Sequence, residues 1–227
     1  ERVVHQFIEK FQITLIAIGN GTGAGTQGTG SIAMGNQSGA VKQGAYCISL
    51  GPASGQFTQA GYAIAIGLYS GQYNQGSRSI AIGYNSALTF QSQSSIAIGY
   101  QAGQVYQGIG ATVGTSTIAI GSTAGQITQG LNSIAIGNSA GNNSQQINAV
   151  SIGNFSGQTY QGTGAISVGT SSARNNQGNY AVAIGYQAGQ TNQGQASVIV
   201  GVNAGQTNQG TNAVAIGNSA GASGQGG

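Results

Sequence analysis

Ser133-Ile134-Ala135-Ile136-Gly137-Asn138-Ser139-Ala140-Gly141 is followed, sixteen residues on, by a looser copy of itself, Ala149-Val150-Ser151-Ile152-Gly153-Asn154-Phe155-Ser156-Gly157. The phrase recurs along nearly the whole chain. Its first glycine falls at 19, 35, 51, 67, 83, 99, 121, 137, 153, 169, 185, 201 and 217, and every gap is 16 except the 22 between Gly99 and Gly121. A fixed period of this size predicts a solenoid with one coil per repeat, each coil stacked on its neighbours. The expected fold is therefore all-β, a parallel β-roll or β-solenoid of about thirteen 16-residue coils over residues 16–221.

The alternation inside the phrase defines the strand. With the anchor glycine as position 0, position 13 is Ile or Val in every coil and position 15 is Ile, Val, Leu50 or Met34. Between them stands Ala or Ser, except at Ile199. Large-small-large with period two is the signature of a strand with two distinct faces. Stacking turns the large positions into aliphatic ladders, expected to bury coil on coil. Position 3 is always Ala, Ser or Thr, and position 4 is Gly except at Ala87 and Ala173. Small residues beside unvarying glycines predict a tight corner with positive φ or close backbone approach. A second, more polar strand is expected through positions 5 to 8, as in Gln190-Thr191-Asn192-Gln193.

Position 8 is Gln in all thirteen coils: Gln27, Gln43, Gln59, Gln75, Gln91, Gln107, Gln129, Gln145, Gln161, Gln177, Gln193, Gln209 and Gln225. Amides stacked about 4.8 Å apart can hydrogen-bond up the rod as a structural ladder. A row of amides reading a ligand is the alternative. Like charges at that spacing would repel, which accounts for a repeat almost free of charge.

Composition removes most chemistry. The chain carries five Lys/Arg and two acidic residues, Glu1 and Glu9; no Asp or Glu follows Lys10, His5 is the only His and Cys47 the only Cys. Carboxylate pairs, Ser-His-Asp triads, His/Cys zinc sites and carboxylate calcium sites all need residues the repeats lack. No catalysis, cofactor or metal is expected. The net charge of +3 reflects missing acids, and its scattered cations do not form the basic patch that nucleic acid requires. No apolar run reaches the ~20 residues of a membrane-spanning helix, so direct membrane insertion is not expected. The Gly23-Ala-Gly25-Thr-Gln-Gly28 match to a dinucleotide-binding fingerprint lacks the acidic residue that should follow it.

The period breaks in three places. Residues 1–15 mix helical spacing (Val4, Phe7, Ile8, Phe11) with four of the charges and read as a cap or a link to an upstream segment. Six extra residues around 109–114 predict a loop at one corner. Residues 222–227 read as a Gly-rich tail. Aromatic residues gather in the third to sixth coils; of these Phe57, Tyr69, Tyr73, Tyr84, Tyr100 and Tyr106 are candidate surface-binding residues, for sugar or protein contacts, against packing at a protomer interface. A two-strand roll is thin for the backbone entropy it must offset, and nearly uncharged faces of small residues suit side-by-side packing, so an oligomer is expected.

The phrases Asn132-Ser-Ile-Ala-Ile-Gly137-Asn-Ser-Ala-Gly141, Ser95-Ile-Ala-Ile-Gly99-Tyr-Gln-Ala-Gly103 and Asn212-Ala-Val-Ala-Ile-Gly217-Asn-Ser-Ala-Gly221 resemble the head repeats of YadA-like trimeric autotransporter adhesins. The likeness covers roughly residues 16–221. It implies a left-handed roll, trimerised side by side, that binds a host protein or glycan from a cell surface. The repeat differs from that family's usual one of about 14 residues, carries an extra Gln-x-x-Gln-Gly phrase, and lacks the family's neck, stalk and anchor. Similar repeats occur in fibre proteins of large viruses and phages, which leaves a virion surface open. The expected function is an extracellular, rigid oligomeric rod displaying a multivalent surface. The alternatives are a self-assembling filament of coils stacked end to end and, more remotely, an ice-binding solenoid, for which the Thr column at position 6 is interrupted by Phe57, Tyr73, Val105 and Ile127.

Overall fold

The structure, a computed structural model, describes residues 15–109 and 116–226. The expected N-terminal cap, up to residue 14, and the centre of the six-residue insertion lie outside the described residues. Within them the chain winds as a parallel β-solenoid without helix. Two sheets of thirteen strands each alternate along the sequence, one running from Ile16–Ile18 to Val214–Ile216 and the other from Thr26–Gln27 to Ser223–Gln225. Among the described residues the strand pairings are parallel and, apart from a shift at Ile109, join equivalent positions of successive coils, as in Ile134↔Val150, Ala135↔Ser151 and Ile136↔Ile152. The register survives the insertion: Ile96 pairs with Ile118 across twenty-two residues. Strand Ser223–Gln225 pairs with Thr207–Gln209, so the second sheet continues into the Gly-rich tail.

The interior differs from the expected one. Position 14, the small residue of the phrase, faces inward and is fully buried, as at Ala33, Ser49, Ala65, Ala81 and Ile199. Positions 3 and 12 join it, again as Ala, Ser, Thr or Cys47. The Ile and Val columns instead point outward from the first sheet; Met34, Ile136, Ile152 and Ile184 are 36–40% exposed. The reason is dimensional. A coil of sixteen residues closes with its two strands too close to admit two facing layers of branched side chains. The alternation therefore places methyl groups and hydroxyls inside. The faces expected to be small and to pack between rolls are the lumen, and the columns expected to be core are surface.

Corners are built by glycine at two columns. At the anchor column, Gly185 has φ 131° and a Cβ there would lie 2.4 Å from the carbonyl oxygen of Gly201 in the next coil. At position 4, Gly103 has φ 53° and a Cβ would approach the Gln107 amide carbon to 2.9 Å. Ala87 and Ala173 adopt the same left-handed conformation, at φ 46° and 43°. Turn backbones also pair coil to coil: Gly39 N–H donates to Ser54 O at 2.9 Å and Ala53 N–H to Asn36 O at 2.8 Å. Backbone hydrogen bonding thus runs along the rod through the corners as well as the strands.

The second sheet changes character along its length. Its early strands are two residues long, as in Thr58–Gln59 and Asn74–Gln75. From Asn143–Gln145 onward they have three, and position 7 takes positive φ: Ser144 61°, Tyr160 51°, Asn176 56°, Asn192 53°, Asn208 52°. Pairing there skips the turned residue, joining Asn143 to Thr159 and Gln145 to Gln161. The change falls near the insertion, where the register shifts between Gln107 and Ile109.

Candidate interaction surfaces

The position-8 glutamines form a continuous buried column; Gln107, Gln129, Gln145, Gln161 and Gln177 are fully enclosed. Their amides act mainly as cross-braces. Gln91 Nε2 donates to Ile80 O at 2.8 Å and to Ser95 O at 3.1 Å, joining the strand before it to the corner after it, and Gln129 and Gln161 repeat the pattern. Direct amide-to-amide bonds occur from Gln43 to Gln59 (3.2 Å) and from Gln145 to Gln161 (3.1 Å). Gln27 is only part-buried, and Gln209 turns to Thr207 O and Gly221 O. The side chain of Gln225 lies outside the described residues. The carbonyl oxygens fare less well: Oε1 of Gln75, Gln91, Gln107, Gln129 and Gln177 among others is buried with no hydrogen-bond partner. Two of the position-14 serines relieve this, since Ser49 Oγ donates to Gln59 Oε1 at 3.1 Å and Ser151 Oγ to Gln161 Oε1 at 2.5 Å; the third, Ser167, bonds Val150 O and Ser151 Oγ instead, and Gln177 Oε1 stays without a donor. Enclosed this way, most of the column has no access to a ligand in solution; Gln177, Gln193 and Gln209 border an open cleft on the second sheet.

The six aromatic candidates separate into two groups. Phe57 and Tyr73 share position 6, just before strands Thr58–Gln59 and Asn74–Gln75 of the second sheet, with rings stacked at 4.8 Å, and Phe90 and Tyr106 follow at position 7. Tyr84 and Tyr100 share position 1, the corner after the first sheet, stacked at 5.5 Å, with Tyr69 edge-on to Tyr84 at 6.5 Å. A third stack, Tyr46 on Tyr62 at 5.3 Å, occupies position 11. Stacked rings cover one another's faces and leave edges and hydroxyls to water. Reading the sequence by column rather than by neighbourhood predicts these stacks, because equal positions in successive coils lie one strand spacing apart.

Three surface features were missed by reading neighbourhoods alone. The first is the outward aliphatic face. The second is an amide rail at position 5, where Gln72 Nε2 donates to Gln56 Oε1 (2.7 Å), Asn142 Nδ2 to Gln126 Oε1 (3.0 Å) and Arg174 Nε to Gln158 Oε1 (2.9 Å). The third is an exposed rail at position 7, Asn176 Nδ2 to Asn192 Oδ1 (3.1 Å) and Asn192 Nδ2 to Asn208 Oδ1 (3.0 Å). Among the described residues no cluster of His, Cys, Asp or Glu could hold a metal ion, and no helix is long and apolar enough to cross a membrane.

Comparison with protein-family models, with curated proteins and with solved structures finds no match to this chain, so the repeat and its parallel β-solenoid are the findings that carry its classification.

Proposed function

We propose that the chain is a structural rod that associates side by side with its own copies through the aliphatic face of the first sheet and displays its other surfaces. The observation that carries this reading is the outward orientation of both aliphatic columns. Thirteen strands about 4.8 Å apart give a flat face some 60 Å long. Two rows of partly exposed Ile and Val run the length of it, a continuous apolar stripe of the kind that marks an association surface. Covering that face supplies the apolar burial that a lumen of Ala, Ser and Gln provides sparingly.

The repeat's resemblance to YadA-like heads favours a trimer and a place on a cell or virion surface. Rigidity and repetition then make the rod suited to multivalent contact rather than to chemistry. Light scattering on the full chain tests the association. A discrete oligomer is expected, dissociating when Ile82→Lys and Ile120→Lys place charges on alternate coils of the face, with the far-UV circular dichroism retained. A clean monomer would overturn the reading. Fibres that lengthen with concentration would move the contact to the rod ends and favour the filament instead.

A further inference from the structure

We infer that the second sheet carries a binding groove for neutral saccharides, centred on Tyr160, Asn176 and Asn192. It deepens the display reading by naming a ligand class. The groove is open to solvent and occupies about 390 Å³ along coils nine to twelve, lined by Tyr160, Asn176 and Asn192, with Gly178 and Gly194 beside them and Gln177, Gln193 and Gln209 of the position-8 column completing it. Those two glycines cannot take a side chain: a Cβ at Gly178 would lie 2.6 Å from the backbone nitrogen of Gln195, and one at Gly194 2.4 Å from the carbonyl of Gly210. Close coil packing therefore keeps that part of the groove as bare backbone.

Two further observations point to a ligand. Tyr160 occupies the column that Asn176, Asn192 and Asn208 continue, and it shares their left-handed backbone at φ 51°. Aromatic residues take the same conformation at other columns, Tyr46 at φ 59°, Tyr62 at 64° and Tyr180 at 58°, so what sets Tyr160 apart is its place at the head of the Asn column and its open ring. Its ring is 47% exposed and, unlike those of Tyr84 and Tyr100, is stacked on no other ring among the described residues. One aromatic face is thus open beside the groove.

The rail supplies the polar half. Each Asn of the Asn176–Asn192–Asn208 chain is oriented by its neighbour. A primary amide has two N–H donors and an oxygen with two lone pairs, so Asn192 keeps one donor and one acceptor site for a ligand, while Asn176 keeps a further acceptor site and Asn208 a further donor. Fixed donors and acceptors repeating at strand spacing suit the hydroxyls of a sugar, and an exposed Tyr ring suits its C–H face. No charged side chain lines the groove, which disfavours sulfated or phosphorylated ligands.

The test uses the full chain with cellotetraose, chitotetraose and maltotetraose as neutral probes and a sulfated tetrasaccharide as the charged one, followed by saturation-transfer NMR and calorimetry. At least one neutral probe should bind at low-millimolar concentration or better. Tyr160→Asn, which extends the existing rail, should weaken binding about tenfold, the scale of one lost aromatic contact. Asn192→Gly, which keeps the left-handed backbone and deletes the amide, should also weaken it, while Tyr84→Ala should leave it unchanged. Each variant is first shown to melt like the parent. No binding of any neutral probe, binding of the sulfated probe alone, or binding insensitive to both groove variants would overturn the proposal. Repeating the titration on the Ile82→Lys/Ile120→Lys chain separates the two readings, because the intrinsic affinity of the groove does not require association through the first sheet.

Discussion

At the scale of the residue, the lumen is governed by one amide per coil. Gln129 braces two backbone carbonyls through its nitrogen, while its buried oxygen has no donor. Ala119 stands where Ser49 and Ser151 donate to the glutamine ten residues on, and position 4 of its coil is Gly125, as it is Gly55 and Gly157 in theirs. Ala119→Ser should therefore raise stability by about 1 kcal/mol, read from the denaturant midpoint at unchanged slope. Gly185→Ala should act in the opposite direction, by roughly 2–4 kcal/mol, because its Cβ would meet backbone rather than a movable side chain. Among the described residues Cys47 is the one titratable group buried in the lumen. Burial pushes its thiol up, against backbone hydrogen bonds of Ala63, Tyr62 and Gly44 that pull it down. The folded state therefore holds this proton more tightly than the unfolded chain does. The associated stability is present below the ordinary thiol range and is lost as pH rises through the folded value. Cys47→Ser, matching Ser31 and Ser79 at the same position, should flatten the alkaline arm of a melting-temperature profile.

At the scale of the element, the strand and its partner are legible from the period alone, but which face points inward is not. Ile-Ala-Ile fits a strand with its branched residues in or out; only the width of the closed coil decides, and that width depends on corners the pattern does not measure. The same limit hides the left-handed residues of position 7. Asn176 and Asn192 signal such a backbone by their type, but Tyr160 does not, and the groove is built around it. Strand pairing is otherwise robust to corner length. Ile96 and Ile118 stay in register across the longer connection, so excising residues 110–115 restores the common period and should shift stability by no more than about 1 kcal/mol. Thermal denaturation of the shortened chain checks this; a large loss would mean that the insertion supports the change in the second sheet that occurs beside it.

At the scale of the whole molecule, each coil touches only its neighbours, so stability is a sum of coils and interfaces along a line. Amide hydrogen exchange should be slowest near the middle of the rod and quicken toward its last coil, where Val214 and Ile216 are already 59% and 66% exposed. Uniform protection along the rod would instead point to an all-or-none unit. The outward aliphatic columns carry a further consequence, one of timing and inheritance. A face built from identical increments gains contact with every coil, while the entropy lost when rods meet is charged only once per encounter. If rods pair through this face as proposed, association has a threshold length. Nascent chains with few coils would stay apart, and completed ones would commit together. Duplicating a single sixteen-residue unit in the gene would then lengthen the reach and tighten such a bundle in the same event.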